Sequence, residues 1–273
     1  MEVVLLGTGN PMPDANRAGP ATLVRAGGLT FLIDCGRGVM QRLVAAGTGP
    51  QQLTAVLLTH LHSDHITDLN DVITSQWVMS FAPAPLRIIG PSRTQEVVDG
   101  IRASLQPDVE YRVGHHEDLT WEPMIEVTEV ADGLVFDDAG VRVFAAPSDH
   151  RPVHPTCAYR IEHDGRAIVL AGDTVPCEGL DRLCTEADAL VHTVIRADLI
   201  ELIPAQRLRD ILDYHSSVAD AARTAAKGGV RTLILTHYVP ALVPGDEAEW
   251  RRQAAEHFDG VIEVGDDLHT VTV

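Results

Sequence analysis

The stretch "VLLTHLHSDHITDL", residues 56–69, sets three histidines and an aspartate within six positions directly behind an apolar run. The apolar run reads as a buried strand, and Asp64 to Met79 as the helix that follows it. Neither element needs so many imidazoles for packing. His60 and His62 are two apart, and extended backbone puts side chains at that spacing on one face, where both rings can grip one ion. Asp64 and His65 come after a turn and face a second ion close by. Neutral imidazole and carboxylate suit zinc, and a dinuclear pair suits phosphoryl or acyl chemistry. A metal site, not a packing motif, is the reading that accounts for the stretch.

The chain has 273 residues, of which 45% are hydrophobic, enough to bury a sizeable core. No apolar run approaches the ~20 residues of a membrane span. The opening "MEVVLLGTG" has no basic leader and reads directly as a strand, so a soluble, cytoplasmic protein without membrane contact is expected. Cys35, Cys157, Cys177 and Cys184 are scattered with no CxxC pair, which predicts buried thiols rather than disulfides or a thiolate cage. Lys and Arg number 21 against 39 Asp and Glu, a net charge of −18, and Lys227 is the only lysine. Such a surface repels polyanions at long range, although metal ions and local arginines act at short range.

Short runs rich in Val, Ile and Leu read as strands: "VVLLG", "FLID", "AVLLTH", "LRIIG", "VRVFAAP", "AIVLAGDT", "ALVHTVI" and "TLILTHY". Their near-continuous apolarity predicts burial on both faces. Helical patterns cover 38–46, 64–79, 92–105, 217–227 and 247–258, with Ser92 or Thr94 available to cap the third and Ser216 or Ser217 the fourth. The more polar segment 106–140 is expected to form loops and edge strands. With no repeat, low-complexity tract or linker, residues 1–273 read as one α/β domain, sheets inside and helices outside.

Histidine or aspartate recurs where these strands stop: His60, His150, Asp173 and His237. A rigid strand followed by a turning loop is the usual place for ligands to converge, so these residues point to one site. The loop "SDHRPVHPTCAYRI" offers both His150 and His154, and the residues alone leave the choice between them open. His115, His116, His163, His257 and His269 lie on polar or amphipathic segments and read as ordinary surface residues. His192 closes a strand near the site, where a supporting and a functional role are equally open. The glycines of "GTGNP" lack both the P-loop lysine and the GxGxxG spacing, and a tight turn explains them. "GPSRT", residues 90–94, opens a helix, and capping is the simpler account there.

"THLHSDH", residues 59–65, matches the HxHxDH signature, and with it the chain resembles the metallo-β-lactamase superfamily. "LLGTGNPMP", "FLIDCGRG", "LAGDT" and "LILTHYVP" resemble that family's further motifs in the same order. "HSS", residues 215–217, is similar to the His-Ser-Thr segment of its ribonuclease Z and arylsulfatase-like branch. The resemblance implies a four-layer αβ/βα sandwich, two mixed sheets flanked by helices. It implies two Zn2+ per chain: His60, His62 and His150 on the first, Asp64, His65 and His237 on the second, and Asp173 bridging them. Asp34 would orient the histidine loop from behind. Asp64 and His215 would be catalytic, Asp64 beside the attacking hydroxide and His215 protonating the leaving oxygen. His154 and His192 are the further candidates on the substrate side.

The branch implies phosphodiester cleavage, including tRNA 3′-end processing, by a homodimer. Two departures shape the expected substrate. Ribonuclease Z carries a glutamate after the histidine of its HE motif, where this chain reads His192-Thr193. It also carries a tRNA-gripping arm after the tyrosine segment, where "AYRIEHDGRAIVLAGDT" runs straight on through an Asp-Gly hairpin. Turnover of small phosphodiesters is therefore expected to exceed cleavage of a tRNA precursor. An arylsulfatase-like hydrolase of small sulfate or phosphate esters is the alternative, and a metal-binding protein without catalysis the remote one.

Overall fold

The computed structural model describes residues 1–273. Strands β1 (Glu2–Gly7), β2 (Ala21–Ala26), β3 (Leu29–Ile33), β4 (Ala55–Leu57), β5 (Leu86–Gly90) and β6 (Ile125–Glu129) lie side by side in chain order. A second sheet holds β7 (Gly133–Asp138), β8 (Val141–Pro147), β9 (Cys157–His163), β10 (Arg166–Leu170), β11 (Ala189–Ile195), β12 (Thr232–Val239) and β13 (Val261–Val264), also in chain order. β14 (Thr270–Thr272) returns to the first sheet beside β1, so both sheets are seven-stranded. Each sheet runs through antiparallel pairings into parallel ones, β3 to β6 in the first and β10 to β13 in the second.

The helices are α1 (Val39–Ala45), α2 (Ser63–Ile66), α3 (Leu69–Val78), α4 (Thr94–His115), α5 (Glu178–Cys184), α6 (Ala197–Ile200), α7 (Gln206–Arg209), α8 (Val218–Gly228) and α9 (Glu247–Ala255). Strand side chains alternate between faces, and here both faces are covered. In β1, Val3 and Leu5 enter a core between the sheets with Phe31, Ile161 and Ile168. Val4 and Leu6 turn outward onto Leu43 of α1 and Val72 of α3. In β12, Ile234 joins the inter-sheet core, while Leu233 and Leu235 meet Ala221 and Ala225 of α8 and Trp250 of α9. The result is the four-layer α/β sandwich, and the double coverage explains why the strands read as unbroken apolar runs. Each such Leu or Ile, fully buried, contributes about 1.5–3 kcal/mol relative to exposure.

Several local expectations are corrected. The helix expected over 64–79 is two helices, because Asp68 leaves helical geometry (φ −100, ψ 15). Its carboxylate accepts the Gly38 N–H at 2.5 Å and its own N–H donates to the Cys35 carbonyl at 3.0 Å, so the break ties the helices to the loop behind Asp34. Segment 106–140 is not all loop and edge strand: α4 continues through Pro107 to His115. Pro107 and Ala103, whose carbonyl it leaves without an intrahelical donor, both face solvent, and buried Val109 anchors the far turn. Ser217 caps α8 as expected, accepting from Asp220 N at 3.1 Å. Neither Ser92 nor Thr94 caps α4; the Thr94 hydroxyl instead donates to the Pro91 carbonyl at 2.7 Å. The "GTGNP" glycines serve close approach, since a Cβ on Gly7 would lie 1.9 Å from the Gly19 carbonyl oxygen. All four thiols are free. No helix is long and apolar enough to cross a membrane.

Candidate metal centre

Residues after β3, β4, β8 and β10, together with the end of β12, converge at the C-terminal ends of these interior strands of the two sheets. Asp34 ends β3, His60 follows β4, His150 follows β8, Asp173 follows β10, and His237 lies within β12. The sheets are stitched together there by the Cys157 N–H, which donates to the Thr59 carbonyl at 2.8 Å. Gly172 permits this approach: its φ is 63, and a Cβ on it would sit 2.7 Å from Thr59 Cβ. His237 is aimed by a bulge. Thr193 pairs with Thr236 and Ile195 with Val239, so β12 holds one residue more than β11 over that step, and His237 takes a φ of 52. Asp34 is likewise left-handed at φ 60. Left-handed non-glycine backbone is strained and concentrates where a side chain must be aimed.

Two ligand groups result. His60, His62, His150 and Asp173 offer donor atoms within 4.8 Å of one another, as do Asp64, His65 and His237. His62 Nδ1 lies 3.1 Å from His60 Nε2 and 3.2 Å from His150 Nε2. Asp173 Oδ2 sits between the groups, 3.9 Å from both His60 Nε2 and His150 Nε2, 3.4 Å from His65 Nε2 and 3.5 Å from His237 Nε2. His237 Nε2 is also 3.4 Å from Asp64 Oδ2.

The outer nitrogens decide what faces inward. The Thr59 hydroxyl donates to Asp34 Oδ2 at 2.8 Å and so accepts from His60 Nδ1 at 3.0 Å. His65 Nδ1 donates to the same Asp34 oxygen at 2.8 Å, and His150 Nδ1 donates to the Tyr214 carbonyl at 2.8 Å. Each ring then presents a lone pair on Nε2 to the centre, the tautomer that metal ligands need. His65 Nε2 and Asp173 Oδ1 are buried without a protein partner. Lone pairs gathered this closely repel one another unless a cation lies among them. Four-coordinate zinc with ~2.0–2.1 Å bonds to nitrogen would hold such atoms ~3.3 Å apart, near the spacing found. The residues fit divalent metal.

Burial, reinforced by His65, pushes His60 well below the ordinary histidine value. The same burial acts on His65, but Asp173 and Asp34 on either side override it and raise that ring, whose Nε2 proton a bound cation would displace to reach the lone pair. Asp173 is opposed by burial too, and His237 and His65 nonetheless hold it well below the usual carboxylate range.

Asp34 accepts from Thr59 N, Thr59 Oγ1 and His65 Nδ1, each at 2.8 Å, and so fixes one ring of each group. Asp34→Asn should weaken metal binding ~10–100-fold, the usual effect of losing such a partner. Chelator competition reads this directly, and an unchanged affinity would remove the orienting role.

The remaining candidates separate clearly. His154 is exposed and outside both groups, leaving His150 as the histidine that joins His60 and His62. His192 is fully buried, with Nδ1 donating to the Thr193 carbonyl at 2.7 Å, and burial lowers it to about 4. It has no face open to a substrate, which corrects that expectation. His215 sits with Nε2 3.3 Å from Asp173 Oδ2, and its Nδ1 donates to the Ile211 carbonyl at 3.1 Å. Thr59 and the carbonyls of Tyr214 and Ile211 were not foreseen. Thr59 lies inside the histidine motif and was open to notice; the carbonyls leave no trace in side-chain identity.

Residues 30–238 match the model of the β-lactamase superfamily domain. Ribonuclease Z of Mycolicibacterium gilvum (strain PYR-GCK) is 61% identical over 275 residues, covering 100% of this chain and 96% of that one. Among solved structures, a metallo-β-lactamase fold protein from Bacillus subtilis superposes with a TM-score of 0.76 at 21% identity, covering 99% of this chain and 98% of that one. The short form of human tRNase Z gives a TM-score of 0.71 at 24% identity, covering 100% and 99%.

Proposed function

Because this chain belongs to the ribonuclease Z family of the β-lactamase superfamily, and is a metal-dependent hydrolase of that kind, we propose that it cleaves tRNA precursors at their 3′ ends with two zinc ions. The observation that carries the chemistry is the pair of His/Asp groups meeting at Asp173. In this reading His60, His62 and His150 would hold one ion, Asp64, His65 and His237 would hold the other, and Asp173 would serve both. Bound there, the ions would supply a water with its pKa lowered towards ~7 and charge stabilisation for the phosphate oxygens. Asp64 accepts a hydrogen bond or the proton from the attacking water. His215, held by the Ile211 carbonyl, gives its Nε2 proton to the leaving oxygen as the P–O bond breaks.

The two departures from the family pattern weigh less than they did in the sequence. The relative named Ribonuclease Z aligns over 96% of its own length, which leaves no room for an added arm of any size. Where the glutamate is missing, Thr193 Oγ1 donates to the Gly172 carbonyl at 2.9 Å, and a backbone carbonyl orients His215 instead. The supported substrate is therefore the precursor, ahead of the small diester expected from the motifs alone.

The test sets a tRNA precursor beside bis(p-nitrophenyl) phosphate and p-nitrophenyl sulfate. Specific 3′-end cleavage at a kcat/KM above the small-diester value is expected. The 21 Lys and Arg are outnumbered by 39 Asp and Glu and form no lysine-rich run, so log kcat/KM should fall with log salt by fewer than about three phosphates' worth, at ~0.7–0.9 each. Preference for the sulfate would reverse the assignment in favour of the arylsulfatase-like reading.

The proposal includes one domain over 1–273, since each sheet supplies part of the metal set; two separate unfolding transitions would undo that. It includes a homodimer in the cytoplasm, supported by free thiols and by exposed Val78, Met79 and Phe81. Sedimentation at the monomer mass would remove the dimer.

A further inference from the structure

Beneath the metal centre, between the sheets, lies a cavity of ≈ 30 Å³ whose polar lining comes from Thr22, Asp34, Thr59, His65, Thr193 and Thr236. We propose that this cavity is a built water site, in which one or two waters join the Thr236 hydroxyl to the Asp34 carboxylate. Thr236 is thereby a positioning residue for the metal centre. The inference rests on the metal-centre reading only for its consequence, not for the water itself.

The size agrees, and although Ile33, Leu170 and Val191 make much of the wall apolar, polar groups that could hold a water stand in it. A water needs about 10–15 Å³ of such volume and two to four polar partners. Thr236 is 6% exposed, and its hydroxyl has no partner in the protein. A buried, unpaired hydroxyl is costly, and nearly all such groups in proteins are satisfied by protein or by ordered water. Asp34 has capacity to spare: Oδ2 accepts from Thr59 Oγ1 and His65 Nδ1, whereas Oδ1 accepts only from Thr59 N. Thr193 Oγ1 spends its proton on the Gly172 carbonyl and keeps its lone pairs for accepting.

The position gives the water a task. Thr236 precedes His237 in the second sheet, and Asp34 holds His65 in the first. A bridge between them sets the separation of two ligands of the same metal group across the sheet interface. Bridging water is nearly as good enthalpically as a direct hydrogen bond, and it costs little to hold where the pocket already exists.

Two measurements test the proposal. A high-resolution crystal structure of the whole protein should show water within hydrogen-bond distance of Thr236 Oγ1 and Asp34 Oδ1. Bare density, or an ion at shorter coordination distances, would overturn it. Thr236→Val keeps the shape and removes the hydroxyl; it should lower zinc affinity ~10-fold in chelator competition, and Thr236→Ser should restore it. Affinity of the valine variant within twofold of the parent would also overturn the positioning role. If the valine variant fails to fold, the serine variant must still retain both the water and the affinity. If the chain held no zinc at all, the proposed function would fall while the crystallographic arm still decided the water.

Discussion

Asp173→Asn should lower kcat/KM by ~10³-fold or more, about 4 kcal/mol at 1.36 kcal/mol per tenfold, and strip metal from both groups together. Asp173 Oδ2 is the atom the groups share, within 3.9 Å of His60 and His150 on one side and within 3.5 Å of His65 and His237 on the other. An amide keeps the shape, removes the charge, and turns an N–H2 towards lone pairs that can only accept. Because the residue is buried, no solvent enters to make up the loss. Metal analysis of the purified variant is the decisive measurement. Retention of two ions per chain with ordinary activity would refute the bridging role.

His215→Ala should lower kcat by ~10²–10⁴-fold, the usual range for a general acid, while leaving two metals bound. The distinction matters because His215 Nε2 is 3.3 Å from Asp173 Oδ2, nearly as close as the proposed ligands. Yet it belongs to neither donor group, and 11% of its side chain is open to the cleft. If it serves the leaving oxygen, the deficit should shrink on a substrate whose leaving group is a good one, such as p-nitrophenolate, which needs little protonation. Loss of metal from the alanine variant would recast His215 as a ligand.

The candidate donors that the fold gathers were legible in the sequence because they are side chains of distinctive type. His60, His62, Asp64 and His65 crowd into one turn, and His150, Asp173 and His237 each stand at a strand end. The layer plan was legible for a related reason, since strands buried on both faces leave unbroken apolar runs. What escaped is backbone work. The Tyr214 and Ile211 carbonyls that orient His150 and His215 could belong to any residue. β2 was hidden by Arg25, a charge in mid-strand that bonds to the Ala46 carbonyl and to Thr48 Oγ1 at 2.8 Å. The length of α4 was hidden by Pro107, a residue that ends most helices but is tolerated on a solvent face.

The proposed donors are divided between the halves of the chain, with His60, His62, Asp64 and His65 following the first sheet and His150, Asp173 and His237 the second. An ion bound there would be a clasp, added to an apolar core and a few hydrogen bonds such as that from Cys157 N–H to the Thr59 carbonyl. A ligand at a thousand times its dissociation constant adds about 4.1 kcal/mol to the folded state, a large part of what holds an ordinary domain together. The melting temperature of this protein would then be partly a reading of the free metal around it. In a metal-starved cell the fold would slacken along the seam between its sheets, and the chain would be lost by degradation as readily as by inactivity.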